Sequence, residues 1–505
     1  FFQEQGVELA PGPKELMNMQ RFYLYLNMTK PGEKLILSYS DTNAKGEGIS
    51  PAYLIGSIRS LYPKLEIENS YYYPENPEAG IDLFLEKLVQ ETEKEHEDIL
   101  EQADETDAMF GELYSWYLRN PEYRSRVQKL VQSAFAGKPK DIISQSVAKA
   151  LYGEVSPYSA TRLERFAACA FAHFLQYGMK LTERVEYEFK PMDMGNVMHE
   201  ALESFAEEVR KRGMKWTELT EQERNEIADR CLDNIVADYG NTVLKSSARN
   251  EYMIERTRRI LRRTVWALQK QLEQGEFQPE GFEVTFGGGR IDRVDIMEDQ
   301  NKVYVKVIDY KTGNTSFDLV YLYHGLQLQL MIYLDGALRV EQKKYPDKEI
   351  IPAGVFYYNI KDPMIQEKID ADVKAVSAGL MKELKMNGLV QADPELVYRM
   401  DSSLGSIPVA FNKDGSFRKN SSVADRTQFA VLGRYVRTKI EKIRSSILEG
   451  DAEVSPYELG KKNACTYCPY MTVCGFDRRL SGYEFRRLKN FSDEELWKAF
   501  DREAE

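Results

Sequence analysis

The chain of 505 residues is long enough for about two to four domains, and its hydrophobic fraction of 43% and charged fraction of 29% are ordinary for a globular protein. Its net charge of −12 argues against a surface that binds nucleic acid indiscriminately, although it leaves room for a local basic channel. Because the sequence has neither a run of about 18 apolar residues nor a recognisable signal peptide, we expect no association with a membrane.

The first region, residues 1–62, is predicted to contain a polar helix, then a helix of aromatic residues and leucines that ends near Pro31, and then a buried strand over Leu35–Tyr39. Residues 19–40 are similar to the last signature motif of superfamily-1 helicases. The part of that motif that bears an arginine is replaced here by residues 29–35, and a lysine cannot make the bidentate phosphate contact of an arginine. The sequence also lacks a G-x-x-x-x-G-K-S/T phosphate-binding loop, so this motif does not predict ATP hydrolysis.

Residues 63–157 carry apolar and aromatic positions at helical spacing and are predicted to be packing helices without chemistry of their own. A further helix begins at Ser159, a suitable N-cap, and leads to Cys169. A single cysteine in an apolar helix is usually a small buried residue. Its interpretation therefore depends on the cysteines that follow later in the chain.

Three helices are predicted between Cys169 and the first long strand, over Met194–Gly213, Trp216–Tyr239 and Glu251–Gln274, and the second of them is amphipathic and acidic. Met194–Gly213 places His199 and Glu203 on one face. The chain has only four histidines, which disfavours a metal site built from several of them. Glu251–Gln274 carries a group of arginines that form either a solvated helix face or a set of phosphate contacts. The resulting candidates for DNA contact are Arg256, Arg259 and Arg263.

Two β-type runs after residue 281 each carry a carboxylate, Asp292 in the first and Asp309 in the second. Because residues i and i+2 of a strand project from the same face, Lys311 lies beside Asp309, and Asp292 can meet both from the neighbouring strand. Carboxylates are hard oxygen ligands suited to Mg²⁺, which activates water and neutralises charge on phosphate. A nearby lysine can orient the water or stabilise the oxyanion. This pattern predicts phosphodiester hydrolysis.

A helix predicted over Val320–Val340 follows these strands, and it is followed by a strand over Ile351–Tyr358. Gln329 and Tyr333 share one helical face and can both reach a DNA strand or the lysine. Further along, the predictions are two helices separated by a polar loop, in the order Asp362–Lys385, Ser402–Ser422 (the loop) and Arg426–Leu448.

Three cysteines close to the end of the chain have the spacing C-x2-C-x5-C, namely Cys465, Cys468 and Cys474. Cys169 would complete a set of four thiolates, and a disulfide framework is unexpected in a large chain without a secretion signal. Zn²⁺ and a 4Fe–4S cluster both accept four thiolates. A zinc ribbon usually has two CxxC pairs, and the single pair here favours iron–sulfur, with zinc as the alternative. Cys231, in an amphipathic helix, is interpreted as structural.

The ordered motifs from residue 195 to residue 333 resemble the RecB-like branch of the PD-(D/E)xK nuclease superfamily. The segment 195–199 (G-N-V-M-H) matches the helix that supplies that branch's metal-binding histidine, and Glu283 stands where an upstream acidic residue is expected. Only eight residues separate Glu283 from Asp292, a shorter hairpin than the family's usual one. The resemblance implies catalytic roles for Asp292, Asp309, Lys311, Gln329 and Tyr333. It implies Mg²⁺ ligation by His199, Asp292 and Asp309, with Glu283 as a further candidate.

One cysteine before the nuclease core and three after it are similar to the arrangement in iron-staple nuclease domains. Together with the helicase-like motif, this resembles the C-terminal part of the B subunits of bacterial AddAB-type helicase–nucleases. The resemblance implies a Mg²⁺-dependent exonuclease that acts on the 5′-ended strand during repair of double-strand breaks by recombination. It also implies a heterodimer with the helicase–nuclease A subunit, contact with double-stranded DNA ends and single-stranded DNA, and a location in the bacterial cytoplasm.

Three alternatives stay open at this point. A stand-alone iron–sulfur nuclease of the CRISPR-associated type would lack the helicase-like motif. A non-catalytic DNA-binding scaffold would have an inert site. A zinc-stapled domain would differ only in its metal.

The expected fold class is α/β, and because the sequence does not begin with methionine, we expect it to be part of a longer protein. We predict a helicase-like α/β remnant over 1–62, a helical linker over 63–157 and a nuclease domain over 158–505. The core of the last, at about 193–360, is expected to be a mixed sheet flanked by helices and closed by the iron–sulfur staple of four cysteines.

Overall fold

The computed structural model describes ten continuous ranges and a few single positions between 67 and 88. The ranges are 11–40, 48–65, 105–134, 142–153, 159–182, 191–238, 247–287, 289–365, 372–478 and 482–504. The chain divides into two compact units, residues 1–83 and residues 84–505. The predicted boundaries at residues 62 and 157 stay predictions.

The described part of the first unit includes the helices α1 (Pro13–Thr29) and α2 (Tyr53–Leu61). A proline at the first position suits the start of α1, and the helix ends just before Pro31, as predicted. The buried strand predicted over Leu35–Tyr39 is wrong, because the segment forms no strand and Ile36 is 74% exposed. A strand needs a neighbour to receive its backbone hydrogen bonds, and none pairs with this segment within the described part of the unit.

The second unit contains the other helices whose bounds the structure defines. They are α3 (Glu105–Arg119), α4 (Pro121–Ala134), α5 (Gln145–Tyr152), α6 (Ala160–Ala168), α7 (Ala170–His173), α8 (Pro191–Lys211), α9 (Glu221–Asp238), α10 (Ala248–Leu272), α11 (Leu319–Tyr323), α12 (Gln329–Lys344), α13 (Val373–Glu383), α14 (Pro394–Met400), α15 (Arg426–Glu449), α16 (Met471–Cys474) and α17 (Asp493–Ala504). A π-helical turn, Phe174–Gly178, follows α7, and a single 3₁₀ turn, Trp216–Glu218, precedes α9. Within the described ranges, none of the helices combines the length and apolar character needed to cross a bilayer.

Among the described residues of the second unit, six strands form a central mixed sheet. The strands follow chain order across the sheet: β1 (Gln278–Phe286), β2 (Gly289–Asp299), β3 (Lys302–Lys311), β4 (Glu349–Asn359), β5 (Asn387–Gln391) and β6 (Val423–Ala424). The β3–β4 and β5–β6 pairs are parallel, and the other neighbouring pairs are antiparallel. The predicted order of helix, three strands, helix and strand is confirmed, and the sheet extends by two short strands that the sequence did not predict.

The sheet separates two hydrophobic cores because alternate residues of a strand point to opposite faces. In β3, Val305 and Val307 pack with residues of α6, α12 and α15. Ile308 and Tyr310 pack on the other face with residues of α8, α9 and α10. Asp309 has the same parity as Val305 and Val307, so it belongs to the face that α12 covers. The central strands are therefore buried on both sides. Asp292 lies near the start of β2 and Asp309 near the end of β3, and these two strand ends are neighbours in the antiparallel pair.

Two of the later predictions agree with the structure, and one needs shortening. The helix predicted over Arg426–Leu448 is α15, which begins after an Asp425 N-cap in a capping box with Gln428. The loop predicted over Ser402–Ser422 contains no helix or named strand. The helix predicted over Asp362–Lys385 is observed only as α13, because residues 361–365 are not helical and 366–371 lie outside the described residues. Pro363 disfavours helical geometry in the residue before it.

The end of the chain forms a second, small sheet of three strands in the order β8 (Lys462–Asn463), β7 (Tyr457–Leu459) and β9 (Arg486–Arg487). The segment with three cysteines lies between β8 and β9 in the sequence. The last helix, α17, packs on α15, with the Phe500 ring against that of Tyr435. After the cysteines, the chain thus returns to the face of the central sheet that α12 and α15 cover.

Candidate active site

The β1–β2 hairpin places two carboxylates opposite each other. Phe282 pairs with Arg293 and Val284 with Ile291, which puts Glu283 across from Asp292. Glu283 adopts a left-handed backbone conformation, with φ of 50°, which is uncommon for a residue with a side chain. Such local strain is typical of functional positions. The short hairpin is therefore long enough to bring the two carboxylates together.

Helix α8 brings His199 to these carboxylates. The Nδ1 atom of His199 lies 3.4 Å from Oδ2 of Asp292, and one ligand atom each from His199, Glu283 and Asp292 lie within 4.8 Å of one another. A close approach between α8 and the end of β3 makes this possible, since a Cβ added to Gly195 would lie 3.3 Å from the Thr312 hydroxyl oxygen. One nitrogen and two carboxylate oxygens at this separation can hold a divalent cation.

Asp309 and Lys311 form the second half of the site. The Lys311 ammonium lies 2.6 Å from Oδ2 of Asp309 and donates to Oε1 of Gln329 at 2.8 Å. The Gln329 amide nitrogen donates to Oδ1 of Asp309 and to the hydroxyl of Tyr333, both at 2.9 Å. Each polar atom of the Gln329 side chain is thereby used. This network fixes the ammonium in one direction without consuming all its protons.

Burial and mutual repulsion control the charges in the site. The pKa of Asp309 is raised to about 7 by burial and then by Asp292, against the lowering effect of Lys311. The pKa of Glu283 is likewise raised to about 7 by burial and by Asp292. Burial lowers the pKa of His199, but its hydrogen bond and charge interaction with Asp292 outweigh this, so the net direction is upward. A cation bound among these groups would offset the repulsion between the carboxylates.

A comparison with known protein families identifies the family to which this fold and site belong. The model of the PD-(D/E)XK nuclease superfamily matches residues 157–475. The chain belongs to this superfamily. The family and the mixed-sheet nuclease fold that were predicted from the sequence are confirmed.

Curated relatives of this superfamily member carry a more specific name. The B subunit of the ATP-dependent helicase/deoxyribonuclease of Lachnoclostridium phytofermentans is 39% identical over 528 residues, which cover 100% of this chain and 45% of the relative. The proteins of the same name from Clostridium acetobutylicum and Alkaliphilus metalliredigens are 32% and 31% identical, each over 99% of this chain and over 45% and 46% of their own lengths. The predicted resemblance to B subunits is confirmed, and the chain spans about half the length of these relatives.

The set of three grouped ligands differs from the set predicted for this nuclease domain. The prediction named His199, Asp292 and Asp309, with Glu283 as a further candidate, whereas the group within 4.8 Å contains Glu283 and lacks Asp309. Asp309 is held by Lys311 and Gln329 instead. Asp292 has one oxygen engaged by the backbone N–H of Tyr310 at 2.7 Å, which fixes its carboxylate against β3. Ligation by Asp309 stays a prediction.

Glu164 is a residue near the nuclease site that the sequence did not single out. Its Oε1 atom accepts the backbone N–H groups of Leu328 and Gln329 at 2.7 and 2.9 Å. One signal in the sequence could have indicated such a partner, since α12 begins after Leu328, whose side chain cannot cap a helix. The acceptor had to come from elsewhere in the fold.

The three arginines predicted to contact DNA lie on α10, and within the described residues none of them forms an ion pair with Glu283, Asp292 or Asp309. Arg256 is exposed, Arg259 lies 2.7 Å from Asp362, and the Arg263 guanidinium lies 5.8 Å from the centre of the Trp266 ring. Two neighbouring arginines of the same helix are engaged by Asp229 and Asp233 of α9. The DNA contacts of Arg256, Arg259 and Arg263 stay predictions.

The four predicted cluster ligands converge at one place in this nuclease domain. Cys169, Cys465, Cys468 and Cys474 line a small apolar cavity together with Phe171, Tyr470 and Phe476. Burial, and to a smaller extent the other three cysteines, raise the pKa of the Cys465 thiol to about 12. All five cysteines are free thiols, and Cys231 is buried separately in the core with α9. No three of the described cysteine sulfurs lie within 4.8 Å of one another.

Proposed function

We propose that the chain is the nuclease-bearing part of a B-type subunit of a bacterial helicase–nuclease, and that it hydrolyses DNA with Mg²⁺. The observation that carries the proposal is the grouping of His199, Glu283 and Asp292 beside the network of Asp309 and Lys311. The names of the relatives, which are B subunits of a helicase/deoxyribonuclease, support the substrate and the subunit role. We propose exonuclease action on the 5′-ended strand during repair of double-strand breaks.

The chemistry assigns a separate task to each half of the site. A bound divalent cation would polarise a phosphoryl oxygen and lower the pKa of a water ligand. His199, Glu283 and Asp292 would hold the cation. Lys311 lies beside Asp309 and presents its ammonium to the charge that develops on the phosphate. Gln329, whose amide also donates to the Tyr333 hydroxyl, fixes the position of the Lys311 ammonium relative to the Asp309 carboxylate.

A 4Fe–4S cluster held by Cys169, Cys465, Cys468 and Cys474 is the second part of the proposal. A zinc ribbon usually has two CxxC pairs, whereas this chain has the single pair Cys465 and Cys468, which favours the iron–sulfur cluster over zinc. The cluster would connect the helix before the nuclease core to the segment after it and contribute to folding rather than to the reaction. A broad visible absorbance band that a reductant bleaches would support iron, and its absence in protein that contains zinc would contradict it.

The partner of the chain in this proposal is the helicase-bearing A subunit, in a heterodimer located in the cytoplasm. The substrates are double-stranded DNA ends and the single strands that unwinding produces. Arg256, Arg259 and Arg263 are proposed to contact the DNA backbone. The helicase-like remnant at the start of the chain would then serve assembly, since ATP is hydrolysed by the partner.

The test is a cleavage assay with end-labelled DNA, Mg²⁺ and the A subunit, in which the wild type is compared with Asp309→Ala. We expect Asp309→Ala to retain DNA binding and to lose cleavage. Asp347→Ala, which removes an exposed carboxylate in the turn after α12, is the matched control and should cleave normally. Absence of cleavage by the wild-type complex would favour a non-catalytic scaffold, and undiminished cleavage by Asp309→Ala would contradict the assigned site.

A further inference from the structure

We propose that Glu164 is a positioning residue of the active site, which caps the N-terminus of α12 and thereby fixes the side chain of Gln329. The effect of Glu164 on catalysis rests on the proposed nuclease function. The effect of Glu164 on α12 rests on the geometry alone. Glu164 comes from α6, far from α12 in sequence, so the contact exists only in the folded domain.

The start of α12 lacks an acceptor of its own. The first backbone N–H groups of a helix have no partner within the helix and need a side chain or water. Leu328 occupies the N-cap position and makes no side-chain hydrogen bond there. Glu164 supplies the missing acceptor, because its Oε1 atom receives both the Leu328 and the Gln329 N–H groups. A carboxylate is also favoured by the positive end of the helix dipole.

The residue that is capped is the same residue that organises the site. Gln329 is the first residue of α12, and its side chain contacts Asp309, Lys311 and Tyr333. First turns of helices fray when their N–H groups are left open. Fraying of this turn would move the Gln329 amide away from both Asp309 and Lys311. The cap and the catalytic network are therefore one connected set of hydrogen bonds.

The helix that carries Glu164 is held firmly against α12. Leu163 and Ala167 of α6 are buried in the same core as Leu330 and Met331 of α12. The turn before α12 fits closely on α6, since a Cβ added to Gly325 would lie 3.2 Å from Cβ of Ala167. Gly325 has φ of 78°, so both its conformation and its space favour glycine. This packing gives Glu164 a fixed base from which to cap α12.

The experiment compares Glu164→Ala, which removes the acceptor, with Glu164→Gln, which keeps an oxygen of the same reach. Cleavage of end-labelled DNA is measured in the complex with the A subunit, with kcat and KM determined separately. We expect Glu164→Ala to lower kcat by about tenfold or more with a smaller change in KM, because catalytic geometry is lost while DNA contacts remain. Glu164→Gln should retain at least about a third of the wild-type kcat.

Hydrogen exchange provides a readout that does not depend on activity. In Glu164→Ala the amides of Leu328 and Gln329 should exchange at least about tenfold faster than in the wild type, and in Glu164→Gln they should stay protected. Asp425→Ala, which removes the N-cap of α15, is the matched control for general loss of a helix cap. It should leave both kcat and the exchange of α12 unchanged.

Three results would overturn the proposal: unchanged exchange at the start of α12 in Glu164→Ala, equal losses in the alanine and glutamine variants, or an equal loss of kcat in Asp425→Ala. A wild-type complex that cleaves no DNA would contradict the proposed nuclease function instead. In that case the exchange measurement would still confirm or overturn the capping role of Glu164.

Discussion

Glu283 and Asp309 are carboxylates whose charge depends on what binds beside them. Both have a pKa raised to about 7 by burial and by the charge of Asp292, yet they lie in different halves of the site. Glu283 belongs to the group with His199 and Asp292, and Asp309 is tied to Lys311. This division predicts different phenotypes for the two side chains, with Glu283 affecting cation affinity more than the arrangement of the lysine.

Replacing Glu283 by glutamine should weaken cation binding. The variant loses an anionic ligand but keeps its shape, so we expect the Mg²⁺ concentration for half-maximal cleavage to rise by about tenfold or more. Isothermal titration with Mn²⁺ would measure the same loss directly. Glu280→Gln, on the same strand but paired with Lys344, is the control and should bind like the wild type. Equal affinity in the Glu283 variant would remove this residue from the site.

Glu164 should make stability depend on pH in a defined direction. Burial raises its pKa from 4.5 to about 7 despite the opposing hydrogen bonds from Gln329 and Leu328. Ionising Glu164 therefore costs the folded state stability, a cost that is absent below about pH 4.5 and accumulates as the pH rises to about 7. Glu164→Gln avoids this cost, so its melting temperature should rise relative to that of the wild type between pH 5 and pH 8. A difference that is constant, or that falls, would contradict the raised pKa.

The contact between α12 and the β1–β2 hairpin depends on a glycine. A Cβ added to Gly336 would lie 2.6–2.8 Å from atoms of the Phe286 ring, so alanine there must displace the ring and the hairpin that carries Glu283. We expect Gly336→Ala to reduce the free energy of unfolding by about 1–3 kcal/mol. Gly433→Ala on α15, whose added Cβ has only the end of Arg437 nearby, should instead stabilise by about 0.5–1 kcal/mol. Chemical denaturation of both variants measures the contrast, and equal effects would contradict it.

The long strands of the central sheet could be predicted from the pattern and type of their residues. The two missed strands and the one wrong strand have physical causes. Alternation and β-branched residues identified β2, β3 and β4, which are long and buried on both faces. The two-residue β6 and the five-residue β5 are too short for any period to be measured. Leu35–Tyr39 has the composition of a strand but lacks a partner among the described residues of its unit. Pairing is a tertiary property that composition does not contain.

The site was predictable to the extent that local spacing determines it. The spacing of Asp309 and Lys311 along one strand, and of Gln329 and Tyr333 along one helix, puts each pair on one face in any fold. The position of Glu283 opposite Asp292 required the register of the hairpin, and the role of Glu164 required the packing of α6 on α12. Sequence reasoning therefore identified the residues within each element and missed the contact made between distant elements.

The proposed cluster should stabilise the domain, because its four cysteine ligands would join the helix before the nuclease core to the segment after it. Cys169→Ala removes one proposed cluster ligand, so we expect loss of the visible absorbance and a melting temperature lowered by more than about 5 °C. Cys231→Ala deletes a buried thiol elsewhere in the core. This variant should lower the melting temperature by only about 2–4 °C and keep the visible absorbance. Equal behaviour of the two variants would contradict a shared cluster.

The central claim is that one divalent cation binds among His199, Glu283 and Asp292. The most direct measurement is the anomalous difference map of a crystal of this chain grown with Mn²⁺, a spectroscopically and crystallographically visible substitute for Mg²⁺. We predict a peak within about 2.5 Å of a ligand atom from each of the three residues. Peaks only at other positions, with these three side chains unchanged and free of metal, would contradict the account.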